Sequence, residues 1–508
     1  MTTSYTRVDD IVLNDLRKVL SAERVTDAPQ ARFQRTIVPA PFPIHRIKDY
    51  MPDLVVFPET REEVVEIVKI ANEHNVPIVP RGGGTGLTDG AVPLRRGIIV
   101  DMKRMKKIIE LDLENRTVTV QPGINMLKLN EYLAPYGVFY PDDPASYPVA
   151  TLSGRVGTGG LSLIGARYGH TRDLVVSLEV VVANGEVVRV GEGGGKKTRK
   201  SSSGYRLKDL FIGHQGTLGI TTEVTLELVK LPEAVFPAFF MYDDFQTAYK
   251  ALKEFTECGL ATMASCILFD ERKIAYLRRD DEAWIPAPEW LDGIICVCLY
   301  GYEDEVEVGK RRIMEIAART GGVYAGEEIS EGDWASRHDR YATPLHGRKK
   351  DGQVVRMSWH CEDASITYSE LLAVKDKWHK VVDDLIEKYD IFDNWGIFMY
   401  AQNPFRGYGD YLMEIDVGIQ DQKLDDETWK AWSDAKKEIS RIALEHGGSM
   451  SSCHGSTRDG EVELIADELG YGYEIMKMIK RNLDPNNIMN PGKYLLDCAY
   501  DIESEAKV

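Results

Sequence analysis

Residues 80–87 read Pro80-Arg81-Gly82-Gly83-Gly84-Thr85-Gly86-Leu87 and follow the apolar run 76–79. Four glycines in five positions let consecutive backbone N–H groups turn toward one anion, because glycine carries no Cβ to forbid the required backbone angles. Such a nest suits a pyrophosphate. A dinucleotide-binding βαβ unit would need its glycines to open a helix, yet here the chain runs on through Asp89, Gly90 and Pro93 into a second β-rich run, 97–102. A Walker A loop would need Gly-Lys followed by Ser or Thr, and Gly195-Lys196-Lys197-Thr198 breaks that order. Taken alone, the first loop is equally a tight connection between strands.

A second stretch of small residues lies about 70 positions on: Thr151-Leu152-Ser153-Gly154, Gly157-Thr158-Gly159-Gly160, then Arg167-Tyr168-Gly169 and Asp173. Two distant small-residue segments point to a long ligand approached closely by backbone on several sides. Around them β-rich runs at 117–121, 174–182, 186–190 and 220–229 alternate with glycines, and one amphipathic helix spans 62–74, with Val65, Val68 and Asn72 on one side and Val64, Ile67 and Ala71 beside them. Asn184-Gly185 between two β-branched runs predicts an antiparallel hairpin with a type I′ turn. After Pro232 aromatic strands alternate with charged helical segments at 243–258, 306–320, 369–388 and 426–446. The expected fold class is α+β. Its parts are an N-terminal arm (1–48), a ligand-binding domain of two subdomains (49–232), a second α+β domain with an antiparallel sheet (233–463) and a returning C-terminal segment (464–508). The glycine-, lysine- and serine-rich patch 191–203 reads as a loop.

The chain has 508 residues, enough for several domains without disulfide or metal staples. Its 62 Lys and Arg against 80 Asp and Glu leave a net charge of −18, which repels nucleic-acid backbones and anionic membrane surfaces. Seven cysteines without a CxxC pair argue against an iron–sulfur cluster and for a reducing compartment, so a cytoplasmic location is expected. The N-terminus has no apolar signal-like core, and no run of 18 apolar residues occurs, so no membrane span is expected.

The ordered motifs RGGGTGL (81–87), TLSG (151–154), GTGGL (157–161), ARYGHTRDLVVSLEVV (166–181), GYRLKDLFIGHQGTLGITTEVTL (204–226) and NPGKYL (490–495) resemble the FAD-linked oxidase family that includes vanillyl-alcohol oxidase. Within it they look most like the branch of D-lactate dehydrogenase, the glycolate oxidase flavin subunit, D-2-hydroxyglutarate dehydrogenase and alkyldihydroxyacetonephosphate synthase. The resemblance is dense over 52–232 and looser over 445–496. It implies a two-subdomain FAD-binding domain of the p-cresol methylhydroxylase (PCMH) type under a cap domain. It further implies that Arg81, Gly82, Gly83, Gly84, Thr85, Gly86 and Leu87 wrap the FAD pyrophosphate. Pro141, Ser146, Thr151, Gly154, Gly157, Thr158 and Gly160, with Tyr168 beyond them, would line the rest of the cofactor, Asp173 and Ile220 its adenine side, and Asn490 the returning tail. Some members attach FAD through a histidine in the first loop; this loop has none, so non-covalent FAD is expected.

Oxidising an alcohol by hydride transfer to a flavin needs a base for the hydroxyl proton and, for a hydroxy acid, a cation for the carboxylate. His454 in Ser451-Ser452-Cys453-His454-Gly455 resembles the branch's active-site histidine, and Arg337 its carboxylate-binding arginine. A packed structural histidine and an ordinary surface arginine are the plain alternatives. Trp359-His360 and Tyr400 are further candidates beside a core role. The metal-dependent members carry two more histidines in the region that is 394–416 here, where none occurs, and Cys453 stands in place of a glutamate. No catalytic metal is therefore expected. Tyr400, Phe405, Tyr408 and Tyr411 in the place of histidines suit a bulkier or aromatic substrate.

The expected activity is FAD-dependent oxidation of a 2-hydroxy acid or related alcohol. Because the chain has no cluster-binding cysteines, electrons would pass to a separate iron–sulfur, cytochrome or electron-transfer flavoprotein partner. Phenolic or aryl-alcohol oxidation, and a flavin electron-transfer subunit of a larger complex, are the alternatives, and a homodimer is compatible with the sequence.

Overall fold

The computed structural model describes residues 5–39, 43–191, 197–279, 287–339, 347–348, 354–402, 409–455 and 460–500. Its architecture is α+β and built on three main sheets. The first is mixed: strands Leu54–Val56 and Ile78–Arg81 flank Ile98–Asp101 in parallel, and Val25–Thr26 adds an antiparallel edge. Helix Arg61–Glu73 covers it and buries Val64, Ile67, Val68 and Ala71. This helix starts where it does because Thr60 accepts from the Glu63 N–H while Glu63 returns to the Thr60 N–H, so two orphan donors are satisfied reciprocally.

The second sheet has five antiparallel strands in the order Ile108–Asp112, Thr117–Val120, Ile220–Glu227, Val175–Val181, Val187–Gly191. The hairpin at Asn184-Gly185 is present, but its turn differs from expectation. Only Gly185 has positive φ (81°); the Gly185 N–H donates to the Val182 carbonyl and the Val182 N–H to the Glu186 carbonyl. That is a type I turn closed by a left-handed glycine, which matches strand twist without forcing Asn184 into the αL region.

The third sheet has seven strands, with Met263–Phe269 and Phe392–Ala401 at its middle, and lies under helices Phe245–Glu257, Glu303–Thr320, Leu371–Lys388 and Asp426–Glu445. Those helices bury one face each, including the fully buried Trp378 and Trp432, in the largest core of the molecule.

The N-terminal segment is not a free arm. Helix Asp10–Val19 sends Val12 and Leu16 into the same core as Val64, Ile67 and Ile98, and Val38 and Pro39 reach the central cavity. In the tail the Asn490 N–H donates to the Ile78 carbonyl and the Ile78 N–H to the Ile488 carbonyl, which ties residues 488–490 to the strand that feeds the first glycine loop. Part of the 191–203 loop, together with Phe405 and Tyr408, lies outside the described residues.

Candidate active site

The two glycine segments meet across one cavity of about 450 Å³. The Gly83 N–H donates to Thr151 Oγ1 at 3.1 Å, and a Cβ on Gly82 would stand 2.3 Å from the same oxygen and 2.8 Å from the Gly154 backbone nitrogen. The first loop is therefore pressed against the Thr151 and Ser153 side chains at Gly82, where it tolerates no side chain of its own. Gly86, Gly154 and Gly157 line the cavity from the other direction: a Cβ on Gly86 or Gly154 would meet nothing nearer than 3.9 Å, and one on Gly157 nothing within 4 Å. Bare backbone facing open space on both walls is the cradle that a long, flat, phosphate-bearing cofactor requires.

Arg81 departs from its expected role. Its guanidinium turns away from the cavity, donates to the Ile37 carbonyl at 2.7 Å and lies beneath Gly84, whose φ of 70° and missing Cβ make room for it. Burial lowers its pKa to about 10, with Asp101 working in the other direction. It supports the nest from below.

The second segment is pinned by an element that sequence reasoning missed. Helix Leu152–Thr158 carries Arg155, which forms a bidentate pair with Asp142 at 2.7 and 2.8 Å and also donates to the Gly160 and Leu161 carbonyls at 2.9 and 2.6 Å. Thr171 and Tyr140 hydroxyls donate to Asp142 as well. With its lone pairs this fully used, the buried pair holds one backbone path instead of leaving charge uncompensated. Of the other expected FAD residues, Thr85, Leu87, Ser146, Thr151, Thr158 and Ile220 line the cavity. Pro141, Gly160, Tyr168, Asp173 and Asn490 do not. Gly160 packs instead against the Cys453 carbonyl, Tyr168 meets the Phe139 ring edge-on, Asp173 caps the His170 N–H, and Asn490 donates to the Gly90 and Gln215 carbonyls. Gly160 and Asn490 thus brace the cavity-lining residues Cys453, Gly90 and Gln215 from behind.

His454 and Tyr400 line the same cavity, beside Trp359, Leu161, Leu163 and Glu414. The first glycine loop reaches His454 directly, since Thr88 Oγ1 donates to the His454 carbonyl at 2.9 Å. Nδ1 of His454 lies 3.4 Å from Asp363 Oδ1 and 3.6 Å from Cys361 Sγ. Burial works against a charged imidazole, but the Cys361 and Cys453 sulfurs and the Asp363 carboxylate favour it, and the His454 pKa rises well above its ordinary value.

Arg337 is not presented to the cavity. Its Nε donates to Asp143 Oδ2 at 2.8 Å, its Nη1 to the Trp334 carbonyl, and its guanidinium stacks over the Trp334 ring. The neighbouring His338, unremarked in the sequence, does line the cavity: it pairs with Asp143 at 2.7 Å and stacks on Tyr147. Strand alternation explains the Trp359-His360 pair, because adjacent side chains leave a strand on opposite faces. Trp359 faces the cavity and donates to Asp416, whereas His360 packs edge-on against Trp432, its pKa lowered by burial to about 3. Tyr411 is a core residue bonded to Thr256. Asp363 and Glu414 were also missed; the signal was two acids, Glu362 and Asp363, inside the strand Ser358–Thr367.

No catalytic metal was expected from the missing histidines, yet one group of possible donor atoms does converge among the described residues. Cys361, Glu414 and His454 each offer a donor atom within 4.8 Å of the others, from two neighbouring strands and the 451–455 loop. Burial pushes the Cys361 thiol and the Glu414 carboxyl well above their usual ranges, which works against the loss of protons that binding an ion requires.

Residues 52–191 match the family model for the FAD-binding domain, and residues 231–494 match that for FAD-linked oxidases, C-terminal domain. The glycolate oxidase subunit GlcD of Bacillus subtilis is 31% identical over 448 residues, 87% of this chain and 89% of that one. The probable mitochondrial D-lactate dehydrogenase of Danio rerio is 30% identical over 458 residues, 89% of this chain and 86% of that one. The crystal structure of p-cresol methylhydroxylase with substrate bound superposes with a TM-score of 0.75, covering 96% of each chain at 20% identity, a likeness of fold. No helix among the described residues is long and apolar enough to cross a membrane. A bare-backbone cradle facing a histidine and an aromatic wall, on a chain most of which these two models cover, makes the protein a member of the FAD-linked oxidases and an FAD-dependent oxidoreductase.

Proposed function

We propose that the protein oxidises a 2-hydroxy acid or related alcohol at non-covalently held FAD and hands the electrons to a separate acceptor protein. The observation that carries this reading is the single cavity that joins the glycine cradle to His454. Gly82 to Leu87 and Thr151 to Thr158 would hold the cofactor, whose pyrophosphate is an anion suited to backbone N–H groups. When bound, FAD supplies the two-electron acceptor. The substrate C–H bond breaks with its electron pair leaving as hydride, the hydroxyl proton passes to His454, and the carbon–oxygen bond becomes double. His454 must be neutral to accept that proton, so its raised pKa implies a rate that climbs with pH. The identity to relatives named for glycolate and D-lactate supports the substrate class. Anaerobic bleaching of the flavin by D-lactate, glycolate or D-2-hydroxyglutarate is the expected result, and bleaching by none of them removes the hydroxy-acid reading.

A second reading, oxidation of a phenolic or aryl alcohol, is favoured by a specific feature. Tyr400, Trp359, Leu161 and Leu163 give the substrate end an aromatic and apolar wall, and Arg337 is engaged by Asp143 instead of offered to a carboxylate. Bleaching by 4-hydroxybenzylic alcohols without bleaching by hydroxy acids would select it.

A further inference from the structure

We propose that Asp363 is the positioning residue for His454, its carboxylate deciding which imidazole nitrogen is presented to the cavity. The inference rests on the reading of His454 as proton acceptor and adds what makes it one. Asp363 sits on strand Ser358–Thr367, 4% exposed, and its two oxygens gather the whole segment that carries the histidine. Oδ1 accepts from Ser451 Oγ at 3.0 Å and lies 3.4 Å from His454 Nδ1; Oδ2 accepts from the Ser452 N–H at 3.0 Å and from the Cys453 N–H. Ser451 Oγ in turn accepts from the Gly455 N–H at 2.9 Å, so four consecutive residues are closed around one carboxylate.

The chemistry follows from donors and acceptors. A carboxylate only accepts, and Asp363 already accepts from the Ser451 hydroxyl and from the backbone N–H groups of Ser452 and Cys453. An acceptor facing Nδ1 places the ring proton there and leaves the lone pair on Nε2, the nitrogen that a proton from a substrate hydroxyl can reach. The groups around the ring are Cys361, Glu362 and Asp363 on one strand, Glu414 on the next and Cys453 on the histidine's own loop. Of these only Cys361 competes for Nδ1: were its thiol to donate there, Nε2 would carry the proton and His454 could accept none.

Asp363→Asn is the discriminating variant. The backbone donors of Ser452 and Cys453 hold the amide oxygen on their side, so the amide NH₂ faces Nδ1 and the proton moves to Nε2. This is the wrong-tautomer logic of Ser-His-Asp triads, where the same change lowers turnover by about four orders of magnitude. The full-length, FAD-loaded protein labelled with 15N-histidine is compared with its Asp363→Asn, Asp363→Glu and Cys361→Ala variants, with His454→Gln used to assign the signals. We expect the neutral His454 of the parent to show Nδ1 protonated, Asp363→Asn to show Nε2 protonated, and Cys361→Ala to match the parent. Flavin reduction by the best substrate should fall at least 100-fold in Asp363→Asn with KM changed less than threefold, and Asp363→Glu should recover part of it. An unchanged tautomer in Asp363→Asn, or a tautomer that switches only in Cys361→Ala, overturns the proposal. The nitrogen spectra are read without substrate and therefore decide the role of Asp363 even if no alcohol reduces the flavin, an outcome that would instead overturn the reading of the reaction.

Discussion

Gly157 offers a perturbation in which fold stability and cofactor binding should move in opposite directions. It lies in helix Leu152–Thr158, its φ is not positive, and a Cβ there meets nothing within 4 Å. In the cofactor-free protein Gly157→Ala therefore has no clash to relieve, and replacing a helical glycine by alanine should add up to about 1 kcal/mol of stability. The same methyl projects into the cavity where the cofactor must approach the backbone. Overpacking a closely fitted contact costs about 1–3 kcal/mol, which weakens FAD binding by about 5- to 150-fold. Urea unfolding of the apoprotein and FAD titration by fluorescence quenching measure the two effects separately. Apoprotein that is no less stable but binds FAD at least fivefold more weakly is the expected pair of results. Unaltered FAD affinity in a stable Gly157→Ala variant would refute the reasoning that bare backbone at this position forms the cofactor wall.

Three other outcomes follow from the site. Arg337→Ala should destabilise the protein by about 1–3 kcal/mol through the loss of charge-assisted bonds to Asp143, with KM for a carboxylate substrate shifted less than about threefold; a tenfold rise in KM would return Arg337 to the role of carboxylate clamp. Burial lowers the pKa values of His214 and His360 to about 4 and about 3, so on acidification the unfolded chain takes up protons near pH 6.5 before the folded one does. Stability is therefore full above pH 6.5 and should fall by about 1.4 kcal/mol per pH unit for each histidine between pH 6.5 and 5. Urea midpoints should show a shallower slope in His360→Asn, and an unchanged slope would count against the buried neutral ring. Exhaustive chelation should leave flavin reduction unchanged, because burial of Cys361 and Glu414 works against their deprotonation; parallel loss of one equivalent of metal and of activity would show that the trio binds an ion.

The sequence by itself determined that a long anionic ligand meets bare backbone, the α+β class and the helices of the second half, because these depend on local and repeating information, while the ordered motifs, through their resemblance to a family, named the cofactor. Glycines that free the backbone at 82–86 and 154–160 and apolar residues at helical spacing act within a few positions of one another. What only the tertiary structure decided is which polar side chains face the same space. Arg81 and Arg337 look alike on paper as anion binders, but both guanidinia are spent on partners in distant segments, Ile37 and Asp143, 44 and 194 positions away. Asp363 reads as one more acid in a charged strand, yet it lies 91 positions before the histidine it holds, and no periodicity relates the two. The same holds for Asp142 beneath Arg155 and for the convergence of Cys361, Glu414 and His454. Cofactor recognition here uses backbone, which glycine spacing advertises, whereas the catalytic arrangement uses side chains brought together by strand register and chain return, which spacing along the chain does not encode.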